Sequence, residues 1–132
     1  KQWKAELTRL KQHKEEVDLY TIYHNNRCSK SREALAFLQD KGVELQVINY
    51  LETPPTEAEI ATILQKLGYS ARQLLRSKEA EYLQFGLDNA DLTDAQIIAV
   101  MCQCPKLIER PIVVTAERAV VARPTELLQD FC

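Results

Sequence analysis

The order of hydrophobic periodicities predicts an α/β domain: a four-stranded mixed sheet with helices on its faces and an enlarged helical insert between strands two and three. Three observations carry this. Two β-branched, strand-like runs near residues 20 and 48 are separated by a helix-period segment, which is a parallel pair with its crossover. Residues 52–109 are a run of short capped helical segments. After Pro111 the period returns to that of strands, twice in close succession.

In chain order, Leu19-Tyr20-Thr21-Ile22-Tyr23 reads as the first strand, rich in β-branched and aromatic residues. It stops at His24-Asn25-Asn26, and a helix over Ser29 to Lys41 follows, with Ala34, Leu35 and Leu38 on its inner face and Gly42 just past its end. Leu45 to Leu51 reads as the second strand, ended by Pro54-Pro55. Thr56 and Glu59 make a capping box ahead of Ile60, Ile63, Leu64 and Leu67 at helical spacing. Ser70 with Gln73, and Thr93 with Gln96, repeat that cap logic, with Leu74, Leu75, Ile97, Ile98 and Met101 as core candidates. Ile112 to Thr115 and Ala119 to Ala122 read as a hairpin whose linker lacks glycine, and Pro124 opens a last short helix through Leu128. This order of elements is the thioredoxin arrangement.

Residues 1–18 lie outside that plan; Trp3, Leu7, Leu10 and Val17 share one face of an amphipathic helix or extension, expected to pack on the 19–132 domain. A length of 132 residues fits one domain and buries enough surface to need no disulfide or metal staple. The opening segment lacks the apolar centre of a signal peptide and no stretch is long enough to cross a membrane, so the expectation is a cytoplasmic protein with no membrane partner. Residues 1–32 carry net +4 and residues 33–132 net −6, with no long basic run, which argues against nucleic-acid binding but leaves room for a small anion. Four cysteines without a secretory signal are expected to be reduced thiols. A zinc site needs four ligands; with only His13 and His24 beside those thiols, no metal is expected.

Cys28 occupies the most informative place. It follows the first strand and precedes the first helix, where unpaired backbone N–H groups and the helix dipole favour an anion. The terminus contributes roughly 0.3–1 kcal/mol, occasionally ~2, to such a charge. Arg27, Lys30 and Arg32 add positive charge nearby, so a reactive thiolate is expected. Asn25 and Ser31 stand where the partner of a Cys-x-x-Cys pair would be, which disfavours a local dithiol reaction. Ala34 occupies the place of the arginine in a Cys-x5-Arg phosphatase loop.

The run Tyr23-His24-Asn25-Asn26-Arg27-Cys28-Ser29-Lys30-Ser31-Arg32 resembles the His-x3-Cys-x3-Arg signature of the glutaredoxin-coupled arsenate reductases, the ArsC-type family of the thioredoxin-fold superfamily. The likeness continues through Tyr50-Leu51-Glu52-Thr53-Pro54-Pro55, Leu74-Leu75-Arg76, Glu109-Arg110-Pro111-Ile112-Val113-Val114 and Ala122-Arg123-Pro124. It implies Cys28 as the nucleophile and Arg76, Arg110 and Arg123 as the residues that bind arsenate and its thiol adducts. The motif's histidine and arginine fall on His24 and Arg32, and His24 either tunes Cys28 or hydrogen-bonds the loop. A cis peptide at Arg110-Pro111 is implied in the same way. Guanidinium groups suit the role physically, because their planar, permanently charged donors match the oxygens of a tetrahedral anion.

The expected activity is reduction of arsenate to arsenite through one protein thiol, with glutathione as co-substrate, glutaredoxin as partner and no bound cofactor. One alternative is a non-enzymatic thioredoxin-fold transcription regulator that binds RNA polymerase, although such proteins carry the Cys-x-x-Cys that Asn25 and Ser31 replace here. Another is a glutathione-linked thiol reductase acting on protein–glutathione disulfides, which has no need of three arginines.

Overall fold

The computed structural model describes residues 19–132, so the amphipathic segment expected over residues 1–18 lies outside the described part. A four-stranded sheet has the order β2-β1-β3-β4. β1 (Leu19–His24) and β2 (Glu44–Asn49) are parallel, joined by α1 (Ser29–Lys41). β3 (Ile112–Val114) runs antiparallel to β1 and to β4 (Ala119–Val121). Between β2 and β3 lie α2 (Glu57–Leu67), a 3-10 turn at Ala71–Leu74, α3 (Ala80–Gln84), α4 (Asp94–Gln103) and a second 3-10 turn at Pro105–Leu107. α5 (Leu127–Phe131) closes the chain. This is the thioredoxin-like sheet with a helical insert that the sequence predicts.

Alternation along β1 divides the core in two. Ile22 and Val113 pair across β1 and β3 and face Ala34 and Leu38 of α1 with Leu128 and Phe131 of α5. Tyr23 and Ile112 pair one step further along and face the opposite layer, where Ile60, Leu74, Ile97, Met101 and Leu107 of the insert are buried. The insert therefore covers a sheet face that would otherwise be exposed.

The local signals account for most boundaries. α1 ends at Gly42, whose φ of 68° is the left-handed conformation that suits glycine after a helix. All three expected capping boxes form, at Thr56/Glu59, Ser70/Gln73 and Thr93/Gln96. The β3–β4 turn manages without glycine because the Thr115 hydroxyl accepts from the Arg118 N–H at 3.2 Å and, among the described residues, no non-glycine residue takes positive φ.

Several boundaries differ from the sequence expectation, most of the strand ends by one residue, and two of the differences have a visible cause. β2 ends at Asn49, not Leu51, because the N–H groups of Glu52 and Thr53 both turn back to the Asn49 carbonyl, at 3.1 and 2.9 Å. The last helix begins at Leu127, after a turn in which Leu127 and Leu128 donate to Pro124 and Thr125. Both Arg110-Pro111 and Arg123-Pro124 are cis, the second of which the sequence reading did not include. Among the described residues, no helix is long and apolar enough to cross a membrane.

Thr56 tests the insert's anchoring: its hydroxyl accepts from the Glu59 N–H at 3.1 Å while the Glu59 carboxylate accepts from the Thr56 N–H at 2.9 Å. Thr56→Ala should lower stability by about 1 kcal/mol. The check is the urea midpoint at unchanged m-value; an unmoved midpoint would show that the box contributes nothing.

Candidate active site

The sheet register brings the candidate residues to one end of the sheet. His24 pairs with Asn49, so Cys28, after β1, and Tyr50, after β2, leave from neighbouring strand ends. Tyr23 pairs with Ile112, which sets Arg110 beside the same turn. Ile112 in turn pairs with Val121, so Arg110 before β3 and Arg123 after β4 face each other across the hairpin. Arg123 Nη1 donates to the Arg110 carbonyl at 3.2 Å and to the Cys28 sulfur at 3.8 Å.

Cys28 is the residue immediately before α1, in extended conformation, and its N–H donates to the Asn25 carbonyl at 3.0 Å. Its sulfur makes no full capping hydrogen bond, so the helix N–H groups act on it as oriented dipoles. Burial pushes the thiol up, but the Ser31 N–H, the Arg110 guanidinium, the Ser31 hydroxyl and the Lys30 N–H together outweigh it and bring Cys28 down to about 7. The other thiols go the opposite way. Burial, then the Glu57 and Glu59 carboxylates, raises Cys102; burial, then Glu81, raises Cys104; burial raises Cys132.

The three arginines are not equivalent. Arg110 and Arg123 lie against the Cys28 sulfur. Burial opposes the Arg110 charge, yet Cys28 and Tyr50 beside it hold it protonated. Arg76 is already engaged, with Nε 3.3 Å from Glu79 Oε1 and Nη1 3.8 Å from Glu109 Oε1. Glu79 also pairs with Lys106 at 3.5 Å, and Lys106 with Glu81 at 3.3 Å. Arg76 acts electrostatically on Tyr50 from there.

His24 and Arg32 both clasp Asn26. His24 Nε2 hydrogen-bonds Asn26 Oδ1 at 2.8 Å, and Arg32 Nη1 donates to the Asn26 carbonyl at 3.3 Å. Of the two roles open to His24, the structure displays the loop hydrogen bond. Arg27 is drawn into the same turn, its N–H donating to Asn25 Oδ1 at 3.0 Å.

Two residues at this end of the sheet carried no role in the sequence reading. Ser31 is fully buried in the first turn of α1, and its hydroxyl completes no hydrogen bond while lowering Cys28. The helical spacing to Ala34 and Leu38 foretold an inward-facing side chain, but a serine there reads first as a missing cysteine. Tyr50 reads as a strand residue and becomes a buried turn residue beside Arg110. Among the described residues, no three His, Cys, Asp or Glu side chains gather as a metal ion would need.

A thioredoxin-like sheet with a lowered thiol at a helix start, and guanidinium groups against its sulfur, defines a class of thiol site suited to an anion. Within that class, the sequence pattern of the ArsC family matches residues 23–131, and the chain belongs to the ArsC family. It is 43% identical over 109 residues to the arsenate reductase of Neisseria meningitidis serogroup A, covering 82% of this chain and 93% of that protein. It is 48% identical over 111 residues to the uncharacterized protein YfgD of Escherichia coli K12, covering 83% and 93%. The solved structure of the arsenate reductase from Vibrio cholerae superposes with a TM-score of 0.84 at 42% identity, covering 89% of this chain and all of that one.

The contrast among the thiols gives a direct expectation. At pH 7, iodoacetamide should alkylate Cys28 about tenfold or more faster than Cys102, Cys104 or Cys132, because only the thiolate reacts. Mass mapping of a time course reads the order; Cys28 reacting last would contradict the activation described.

Proposed function

We propose that this protein reduces arsenate to arsenite through Cys28, with glutathione and glutaredoxin as electron donors and no bound cofactor. The observation that carries the reading is the pairing of a thiol brought down to about 7 with two arginines, one of them 3.8 Å from the sulfur. Such a grouping of charges attracts a tetrahedral oxyanion to the nucleophile that attacks it, and offsets the repulsion between the two. The arsenate reductases among the relatives support the choice of anion.

In this reading the Cys28 thiolate forms a sulfur–arsenic bond as one oxygen leaves as hydroxide or water, arsenic remaining at +5. Arg110 and Arg123 hold the remaining oxygens and stabilise the charge that shifts onto them. Glutathione displaces a second oxygen. The glutaredoxin thiolate then attacks the glutathione sulfur, so two electrons pass to arsenic as the mixed disulfide forms. Hydrolysis releases arsenite and restores Cys28. Arg76 completes the set by sharing a charge now balanced by Glu79 and Glu109. His24 and Arg32 act through Asn26, fixing the loop from which Cys28 projects. The reducing cytoplasm, with its thiol pool, is the compartment this chemistry suits.

Arsenate, glutathione, glutaredoxin, glutathione reductase and NADPH make the test, with NADPH loss followed. Turnover should require glutathione and glutaredoxin together and disappear in Cys28→Ser, while Cys102→Ser, Cys104→Ser and Cys132→Ser each stay active. Loss of turnover in one of those three would replace the external thiols with an internal resolving cysteine. Cys28-independent NADPH loss, or none at all, would remove the arsenate reductase reading.

A further inference from the structure

Three of the buried polar atoms without a hydrogen bond lie at the same sheet end as Cys28: the hydroxyls of Ser31 and Tyr50 and the Nε of Arg110. A buried donor without an acceptor is destabilising, and a native structure keeps one only for a reason. Ser31 bears on the sulfur. Tyr50 and Arg110 remain to be explained, and they lie together. Tyr50 is 1% exposed, its hydroxyl and the Arg110 Nε complete no hydrogen bond, and the Arg110 guanidinium acts on both that oxygen and the Cys28 sulfur.

We propose that Tyr50 is a catalytic residue, its hydroxyl and Arg110 Nε forming a donor pair that grips one oxygen of the tetrahedral oxyanion attacked by Cys28. The assignment rests on the arsenate reductase reading above, which gives the oxyanion its identity.

Three features support it. First, the register requires the position: Tyr50 follows Asn49, the partner of His24, and so leaves the sheet beside the Cys28 turn. Second, Tyr50 keeps its proton. Burial pushes the phenol up, and although Arg110 and Arg76 pull against this, the balance stays on the raised side. A neutral phenol is a donor, which an oxyanion needs and a phenolate cannot supply. Third, the Arg110 and Arg123 charges already share the Cys28 sulfur as a neighbour, with the Arg123 side chain also on the Arg110 carbonyl. A neutral donor adds a directed contact without further repulsion between cations, in a place where it is oriented before the anion arrives.

Tyr50→Phe removes the hydroxyl and keeps the ring, so it isolates the claim. Arsenate is titrated as a protectant against iodoacetamide at Cys28 at pH 7, read by mass mapping, in the parent and in Tyr50→Phe. The variant should need about tenfold more arsenate for equal protection, the loss expected for one hydrogen bond to a charged group. Its unprotected alkylation rate should stay within about twofold of the parent's, since a neutral hydroxyl is removed, and its urea midpoint should equal or exceed the parent's, since a donor left unpaired in the fold has gone. Equal protection in the two proteins would overturn the assignment alone. A lowered midpoint or a lost cooperative transition would overturn it as well, by showing that the hydroxyl serves the fold. Absence of protection in the parent would remove the arsenate reductase reading, and this assignment with it.

Discussion

A negative charge on the Cys28 sulfur, held at the first turn of a helix without a neighbouring thiol, is the constraint on which the site depends. Burial works against that charge. The compensation is distributed: N–H groups of Ser31 and Lys30, the Ser31 hydroxyl, and the Arg110 guanidinium. In a Cys-x-x-Cys protein the second thiol stands where Ser31 is found. Here that position holds a small, fully buried hydroxyl that cannot form a disulfide but can polarise toward the sulfur.

The sheet supplies what the helix start cannot. A parallel β1–β2 pair and two antiparallel pairs gather four chain segments at one end, each contributing a different group: Cys28, Tyr50, Arg110 and Arg123. The cations are graded. Arg110 is partly buried and in contact with the sulfur and the phenol, Arg123 is exposed and reaches the sulfur from the rim, and Arg76 is tied into a chain of carboxylates and Lys106. An arginine paired in this way presents its charge while remaining fixed, whereas a free one would sample many rotamers at an entropic cost.

Much of this was legible in the sequence. The helix over Ser29 to Lys41 follows from its inner face and Gly42, and the three capping boxes from the Ser/Thr and Glu/Gln spacing, because these signals are local. Cys28 was legible because a thiol between a strand and a helix meets the field of the helix start, whatever the rest of the chain does. Tyr50 was not, since its aromatic ring continues the β2 pattern and only the Asn49 carbonyl, recruited by Glu52 and Thr53, ends the strand before it. The pairing of Arg76 with Glu109 was equally hidden: Glu109 is distant in the chain and meets it where the Arg76 N–H bonds the Leu107 carbonyl and the Glu109 N–H bonds the Leu74 carbonyl. The roles of His24 and Arg32 in holding Asn26 depend on a turn whose shape no spacing rule gives.

The most direct measurement is the pH dependence of Cys28 alkylation in a protein carrying Cys102→Ser, Cys104→Ser and Cys132→Ser, compared with the same protein carrying Arg110→Ala. A thiol lowered by its surroundings is protonated below its pKa and reactive above it, so the rate should rise with pH through a midpoint of about 7. Removing the guanidinium in contact with the sulfur should move that midpoint upward, while the maximal rate at high pH is retained. Equal midpoints in the two proteins, or a midpoint at the ordinary thiol value in the first, would contradict the account of how this fold lowers the Cys28 thiol.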